Sequence, residues 1–292
     1  MKSRAKSRRF RMYKRKRTKK MSSWLQTHTE IPKSTTLYVK HNSGFFSCCS
    51  VRLDRIIHYF NRYKRLPLVV DSSQSYAWYK PKNMDPKEDV TPVYFNTTTD
   101  TIKYMRRINY EHNYQYLNFK TINFRALTPF IKKYFDPSEE IQRHVHDIEK
   151  KYGLDDYGNI CVLFFRGNDK VTETPVAPYS DYIVRAKRIL LENPSIRFLV
   201  QSDEQEFIDT MLSEFPGSIY FKDETRRISK SITTVDKTNS DNFLFSKYFL
   251  AITYIMSKAK YIIFGSGNCS IWILLYRGNA TGVQQFLKTG WV

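Results

Sequence analysis

Three short turns in the second half of the chain carry residue types suited to holding a diphosphate. The first is Phe165-Arg166-Gly167-Asn168-Asp169-Lys170, in which an arginine directly follows an apolar run. A guanidinium there can fork onto a phosphate while glycine keeps the backbone tight. The second is Gln201-Ser202-Asp203-Glu204. The third, Phe264-Gly265-Ser266-Gly267-Asn268-Cys269-Ser270, leads from an apolar run into a helical pattern. Amides and hydroxyls at a helix N-terminus form an anion cradle. Taken singly, each turn has an ordinary explanation: an ion pair between loops, a helix cap, a tight helix start. Together on one sheet edge they favour a diphosphate ligand. No GxGxxG fingerprint or Walker A sequence is present, which argues against a dinucleotide dehydrogenase and a P-loop NTPase and leaves a nucleotide-sugar donor.

Gathering three turns at one edge requires a parallel sheet, and the pattern supplies one. Residues 160–165, 196–200, 218–221 and 261–264 read as strands, alternating with helical stretches at 180–192, 204–215, 243–258 and 270–276. Alternation at these lengths indicates βαβ units and a Rossmann-like half. The first half opens with a strand at 36–40 and a glycine-containing loop at 41–47. A helix carrying Val51, Leu53, Ile56, Ile57 and Phe60 at a period near 3.6 follows, then a strand at 66–71. Asp71 thus falls at a strand C-terminus, where a crevice forms, or serves as a turn or cap aspartate before Ser72. Residues 136–151 read as a helix started by Asp136, with Pro137 and two acids in its first turn. Its His144 and His146 lie on different faces, a poor metal site. Residues 72–135, rich in Tyr, Asn, Lys and Pro, show only scattered short helices and loops. The expected division is a basic arm at 1–30, an acceptor-side domain at 31–153 and a nucleotide-sugar domain at 154–292.

With 41% hydrophobic and 15% aromatic residues the chain can bury a core, which excludes wholesale disorder. No run approaches the roughly 18 apolar residues of a membrane span. The basic N-terminus lacks the apolar segment of an export signal, so a cytoplasmic location is expected. Of the basic residues behind the net charge of +20, twelve lie in the first twenty positions, which hold no acid. Such a block repels itself and reads as a disordered, solvated arm, with residues 2–20 expected to touch acidic membrane or another polyanion. Nucleic-acid binding is the alternative reading, although the aromatics are not interleaved with the arm. Cys48, Cys49, Cys161 and Cys269 lack metal-ligand spacing.

The run from Phe165 to Glu173 resembles the first motif of the α1,6-fucosyltransferase and protein O-fucosyltransferase superfamily. In that motif a His-x-Arg-(Arg/Gly)-x-Asp-Lys turn meets the GDP-fucose diphosphate. Ser202-Asp203-Glu204 resembles the second motif, Thr-Asp-Asp, and residues 257–268 resemble the third, a serine-rich diphosphate loop. Gly44-Phe45-Phe46-Ser47 with residues 67–71 is similar to the opening of such enzymes. The resemblance covers about residues 36–280 and is strongest at 160–276. It implies a GT-B fold of two Rossmann-like domains with parallel sheets. It also implies inverting, metal-independent transfer of fucose from GDP-fucose to a glycan or glycoconjugate, with no cofactor.

By the same resemblance Arg166 stabilises the departing diphosphate. Glu173 is the base, although it stands one residue nearer to Lys170 than in the family. Asp169, Lys170, Ser202, Asp203, Gly265, Ser266, Gly267, Asn268 and Ser270 fall at donor-binding positions. Gly44, Phe45, Phe46 and Asp71 fall on the acceptor side of the cleft. Three departures stand out. Phe164 replaces the family's leading histidine, Gly167 its second basic residue, and Ile252 the aspartate that reads guanine, for which Asp241 is a nearby substitute. These departures also fit a chain that keeps the fold as a glycan-binding or scaffold protein.

Overall fold

A computed structural model describes residues 35–98, 102, 106–238 and 241–292, so the expected basic arm lies outside the described residues. In chain order the first half runs β1 (Thr36–Tyr38), α1 (Phe45–Tyr63), β2 (Val69–Asp71), α2 (Thr91–Tyr94), β3 (Phe95–Asn96), α3 (Phe124–Tyr134), β4 (Asp136–Pro137) and α4 (Glu139–Tyr152). The second half alternates: β5 (Ile160–Phe165), α5 (Tyr179–Glu192), β6 (Arg197–Ser202), α6 (Gln205–Glu214), β7 (Ile219–Tyr220), α7 (Asn242–Lys258), β8 (Tyr261–Gly265) and α8 (Asn268–Arg277). It closes with β9 (Val283–Leu287) and β10 (Gly290–Trp291).

The main sheet has the order β10-β9-β8-β5-β6-β7, with only β10 antiparallel. All six residues of β5 are buried, as a central parallel strand covered on both faces requires. Cys161, Leu163 and Phe165 pack with Tyr182 and Ala186 of α5 and Phe207 and Ile208 of α6. Ile160, Val162 and Phe164 face the opposite way, into a core shared with α7, α8 and the first half. The sheet order places the ends of β5, β6 and β8 side by side, which is what brings the three turns together.

The first half carries much less sheet than the second. Its parallel pair, β1 with β2, is three residues long, and β3–β4 is a two-residue antiparallel pair. Helices and aromatic side chains fill the space instead. Helix α1 begins at Phe45, so the last three residues of the loop expected at 41–47 belong to its first turn, and both Phe45 and Phe46 are buried. Helix α4 is capped by Ser138, whose Oγ accepts from Ile141 N–H, because Asp136 and Pro137 are used in β4. Its His146 is exposed, while His144 is half-buried with its ring edge-on to Tyr248. No helix among the described residues is long and apolar enough to cross a membrane.

Trp272 of α8 joins the halves. It is fully buried, lies against Phe46 and Phe135, and donates from Nε1 to Ser50 Oγ at 2.9 Å. Truncating a buried aromatic removes its transfer energy and leaves a cavity. Trp272→Ala is therefore expected to lower stability by roughly 3–5 kcal/mol, read from urea unfolding. A loss below about 1 kcal/mol would mean that this contact does not couple the two halves.

Candidate functional site

The ends of β5 and β6 and the starts of α1 and α8 border a cavity of about 430 Å³. From the β5 turn come Arg166, Asp169, Lys170 and Glu173; from β6, Ser202 and Asp203; from the β8–α8 junction, Gly267 and Asn268; from the opposite wall, Gly44, Phe45 and Phe46. Asp71, Gly265, Ser266 and Ser270 are not in its lining. Asp71 Oδ1 accepts from Ser73 N–H at 2.8 Å, the turn role open to it from sequence. Ser266 Oγ donates to the Phe286 carbonyl at 2.8 Å, tying the end of β8 to β9. Gly265 is the last residue of β8, and Ser270 is buried within α8.

Arg166 is held from two sides. Its Nε lies 3.3 Å from Asp203 Oδ2 and its Nη2 lies 3.2 Å from Asp169 Oδ1, and neither ion pair engages Nη1. Burial pulls the guanidinium pKa down, but the carboxylates, led by Asp203, more than reverse that, so the group stays cationic. Asp169 moves up, because burial and the nearby acids outweigh Arg166. Asp203 Oδ1 also accepts from Gly167 N–H at 3.0 Å. Asn168, buried with φ of 40°, donates to the Asp203 carbonyl at 2.8 Å and accepts from Ser231 N–H at 2.9 Å. The first two turns are thus a single hydrogen-bonded unit.

Lys170 forms the second cation of the wall. Its Nζ donates to Glu173 Oε2 at 2.5 Å and to Gln115 Oε1 at 3.3 Å, beside the Tyr116 ring. A side chain at Gly267, where φ is 155°, would place its Cβ 3.1 Å from Lys170 Cε, so glycine is what admits the lysine. Asn268, the first residue of α8, offers its backbone N–H toward the same region, and its Oδ1 accepts from Ser50 Oγ at 2.7 Å. Arg166, Lys170 and the N-terminus of α8 therefore present positive charge along one wall, the arrangement that receives an anion. The thiol of Cys269, also in the lining, is pushed up to about 11 by burial and remains protonated at neutral pH.

Several lining residues carried no local signal in the sequence. Gln115 comes from the stretch between 72 and 135 and reaches the lining only through contacts 55 or more residues away, and its neighbour Tyr116, outside the lining, reaches Glu173 in the same way. Asp236 and Arg226 form an ion pair in the lining, and Thr225 Oγ1 bonds both side-chain atoms of Gln201. Ile252 does face the cavity, beside Phe245 and Phe249. Asp241 does not: its carboxylate caps α7, accepting from Phe243 and Leu244 N–H. An acid for the position of Ile252 is therefore to be sought in Asp236 or Glu224, and Glu224 is already bound to Lys151 and Tyr152.

Gly167 has no room for a side chain, since an added Cβ would sit 1.6 Å from Glu204 Oε2 and 2.7 Å from Phe165. The Glu204 carboxylate is itself buried and held by Tyr179. Gly167→Ala is expected to displace the turn and lower stability by about 2–4 kcal/mol. Thermal denaturation measures this; an unchanged melting temperature would show that the turn does not pack as described.

No family model and no curated protein sequence matches the chain. Solved structures do. It is similar to NodZ alpha-1,6-fucosyltransferase soaked with GDP-fucose, with a TM-score of 0.50 and 9% identity over 87% of this chain and 95% of that one. NodZ co-crystallised with GDP gives a TM-score of 0.51 at 9% identity over 89% of this chain and 98% of that one. Selenomethionine NodZ from Bradyrhizobium gives 0.50 at 9% identity, over 89% and 98%. At such identity the likeness speaks to architecture alone: the chain shares the fold of these fucosyltransferase structures.

Proposed function

We propose that the chain is an inverting, metal-independent glycosyltransferase that moves fucose from GDP-fucose to a hydroxyl of a glycan or glycoconjugate. The observation that carries this reading is the convergence of Arg166, Lys170 and the first amide of α8 on one wall of a cavity of about 430 Å³. That volume suits a nucleotide sugar. Fold neighbours soaked with GDP-fucose and co-crystallised with GDP support the same donor. In this reading residues 154–292 supply the donor side and residues 31–153 the acceptor side. That residues 2–20 are drawn to acidic surfaces is part of the same proposal and rests on the twelve basic residues among the first twenty.

The chemistry follows from the charges. As the bond between fucose C1 and the β-phosphate oxygen breaks, its electron pair stays with GDP. Arg166, Lys170 and Asn268 N–H meet the charge that develops there. The acceptor oxygen attacks C1 from the opposite face and forms the new glycosidic bond. Glu173, 43% exposed at the mouth of the cavity, takes the acceptor's proton. Lys170 sits between the two events, since its ammonium pairs with Glu173 and also faces the diphosphate wall. The base of the nucleotide is left the part walled by Phe245, Phe249 and Ile252 and edged by Asp236 and Thr225.

Removing the Arg166 cation should matter most in the transition state. Arg166→Ala is expected to lower kcat for GDP-fucose transfer or hydrolysis by roughly 10²–10³ with folding retained. Product release of GDP with a glycan acceptor panel measures it, alongside a circular dichroism melt. Turnover within about threefold of wild type would overturn the role of Arg166.

A further inference from the structure

One turn of the acceptor-side half reaches into the donor wall. His112–Tyr116 is a 3₁₀ turn with no buried residue, and it delivers two side chains. Gln115 Oε1 accepts from Asn268 N–H at 3.1 Å and from Lys170 Nζ at 3.3 Å. The Tyr116 hydroxyl donates to Glu173 Oε2 at 3.1 Å, the same oxygen that Lys170 contacts at 2.5 Å.

The position of the Gln115 oxygen is unusual for a neutral group. It accepts from an ammonium and from the first amide of a ten-residue helix, two of the donors on this wall that an anionic oxygen would favour. A backbone N–H has one hydrogen to give. Asn268 cannot serve Gln115 and a phosphoryl oxygen at once, so a diphosphate seated here has to expel the amide.

Tyr114 packs the turn against the core and meets the ring of buried Tyr110, so the part that can yield is the Gln115 side chain. None of the turn's five residues is buried, whereas the residues after it are fixed: Gln285 donates to the Leu117 carbonyl and accepts from Phe119 N–H. Tyr116 stays a donor at neutral pH, because burial and then Glu173 push its hydroxyl up to about 12.

Resting on the GDP-sugar reading above, we propose that Gln115 is a specificity-determining residue of the donor site. Its side-chain oxygen competes with the donor's phosphoryl oxygen for Asn268 N–H and Lys170. Ligands that bring enough negative charge to displace it bind; a nucleoside without phosphate gains nothing from this wall. Every ligand that uses the wall pays the cost of the exchange, which lowers its apparent affinity by a fixed factor.

Calorimetric titration of the full chain tests this with GDP, inorganic pyrophosphate and guanosine against wild type, Gln115→Ala and Gln115→Glu. Gln115→Ala is expected to tighten GDP and pyrophosphate by roughly three- to tenfold and to leave guanosine unchanged. Gln115→Glu puts a tethered carboxylate on the same donors and is expected to weaken GDP at least about tenfold. Weaker GDP binding in Gln115→Ala, at the level of Lys170→Ala, would overturn the proposal and make Gln115 a support for Lys170. Variants indistinguishable from wild type while GDP binds would overturn it too, leaving the nucleotide reading in place. Pyrophosphate alone showing the expected pattern would support the exchange and remove the nucleotide. Binding of none of the three sinks both.

Discussion

Keeping one guanidinium charged at the end of a buried strand is the constraint around which this molecule is arranged. Arg166 follows six buried residues of β5, and a cation in that place is costly unless carboxylates face it. Asp203 and Asp169 do so, and Asp203 comes from the neighbouring strand end, which fixes how β5 and β6 must pair. The same carboxylate holds Gly167 N–H, Asn168 locks onto the Asp203 carbonyl, and Glu204 fills the space that a side chain at Gly167 would need. A turn that looks like a loop in sequence is therefore as tightly specified as the core beneath it.

The second constraint is that the cationic wall of the cavity is finished by the other half of the chain. Ser50 of α1 donates to Asn268 and accepts from Trp272, so the start of α8 is set by a residue more than two hundred positions away. Phe45 and Phe46 serve at once as core and as cavity wall. Gln115 and Tyr116 add the polar contacts. The short first-half sheet is compatible with this because the wall is built from helix starts and turns, and needs no crevice of its own. The cationic wall and Glu173 thus meet at Lys170, where Gln115 and Tyr116 bring contacts from the first half.

Much of the second half was legible because its physics is local. Parallel strands buried on both faces read as apolar runs, and glycine and polar clusters mark their ends, so β5 and β8 fell where expected, whereas β6 runs on through Gln201 and Ser202, which read as the start of a turn because they are polar. Strand β9 escaped because Gln285, almost fully buried, is polar; its amide serves Leu117 and Phe119 and breaks the apolar pattern. The start of α4 was misplaced by two residues because Asp136-Pro137 resembles a cap and first turn but pairs with β3. Residues 72–135 were illegible for a different reason. Their 3₁₀ turns carry no period, and what orders Gln115 or Tyr116 is a contact with the far half. Asp241, expected as a substitute for the acid missing at Ile252, is a helix cap, while Asp236, five residues earlier, lines the cavity.

The central claim is spatial: the diphosphate of the donor lies between Arg166 and the first amide of α8. A crystal structure of the chain with GDP tests it directly. The account predicts β-phosphate oxygens within hydrogen-bonding distance of Arg166 and Asn268 N–H, with the base toward Phe249 and Ile252. GDP bound elsewhere, or bound in the cavity with its phosphates turned away from Arg166, would contradict it.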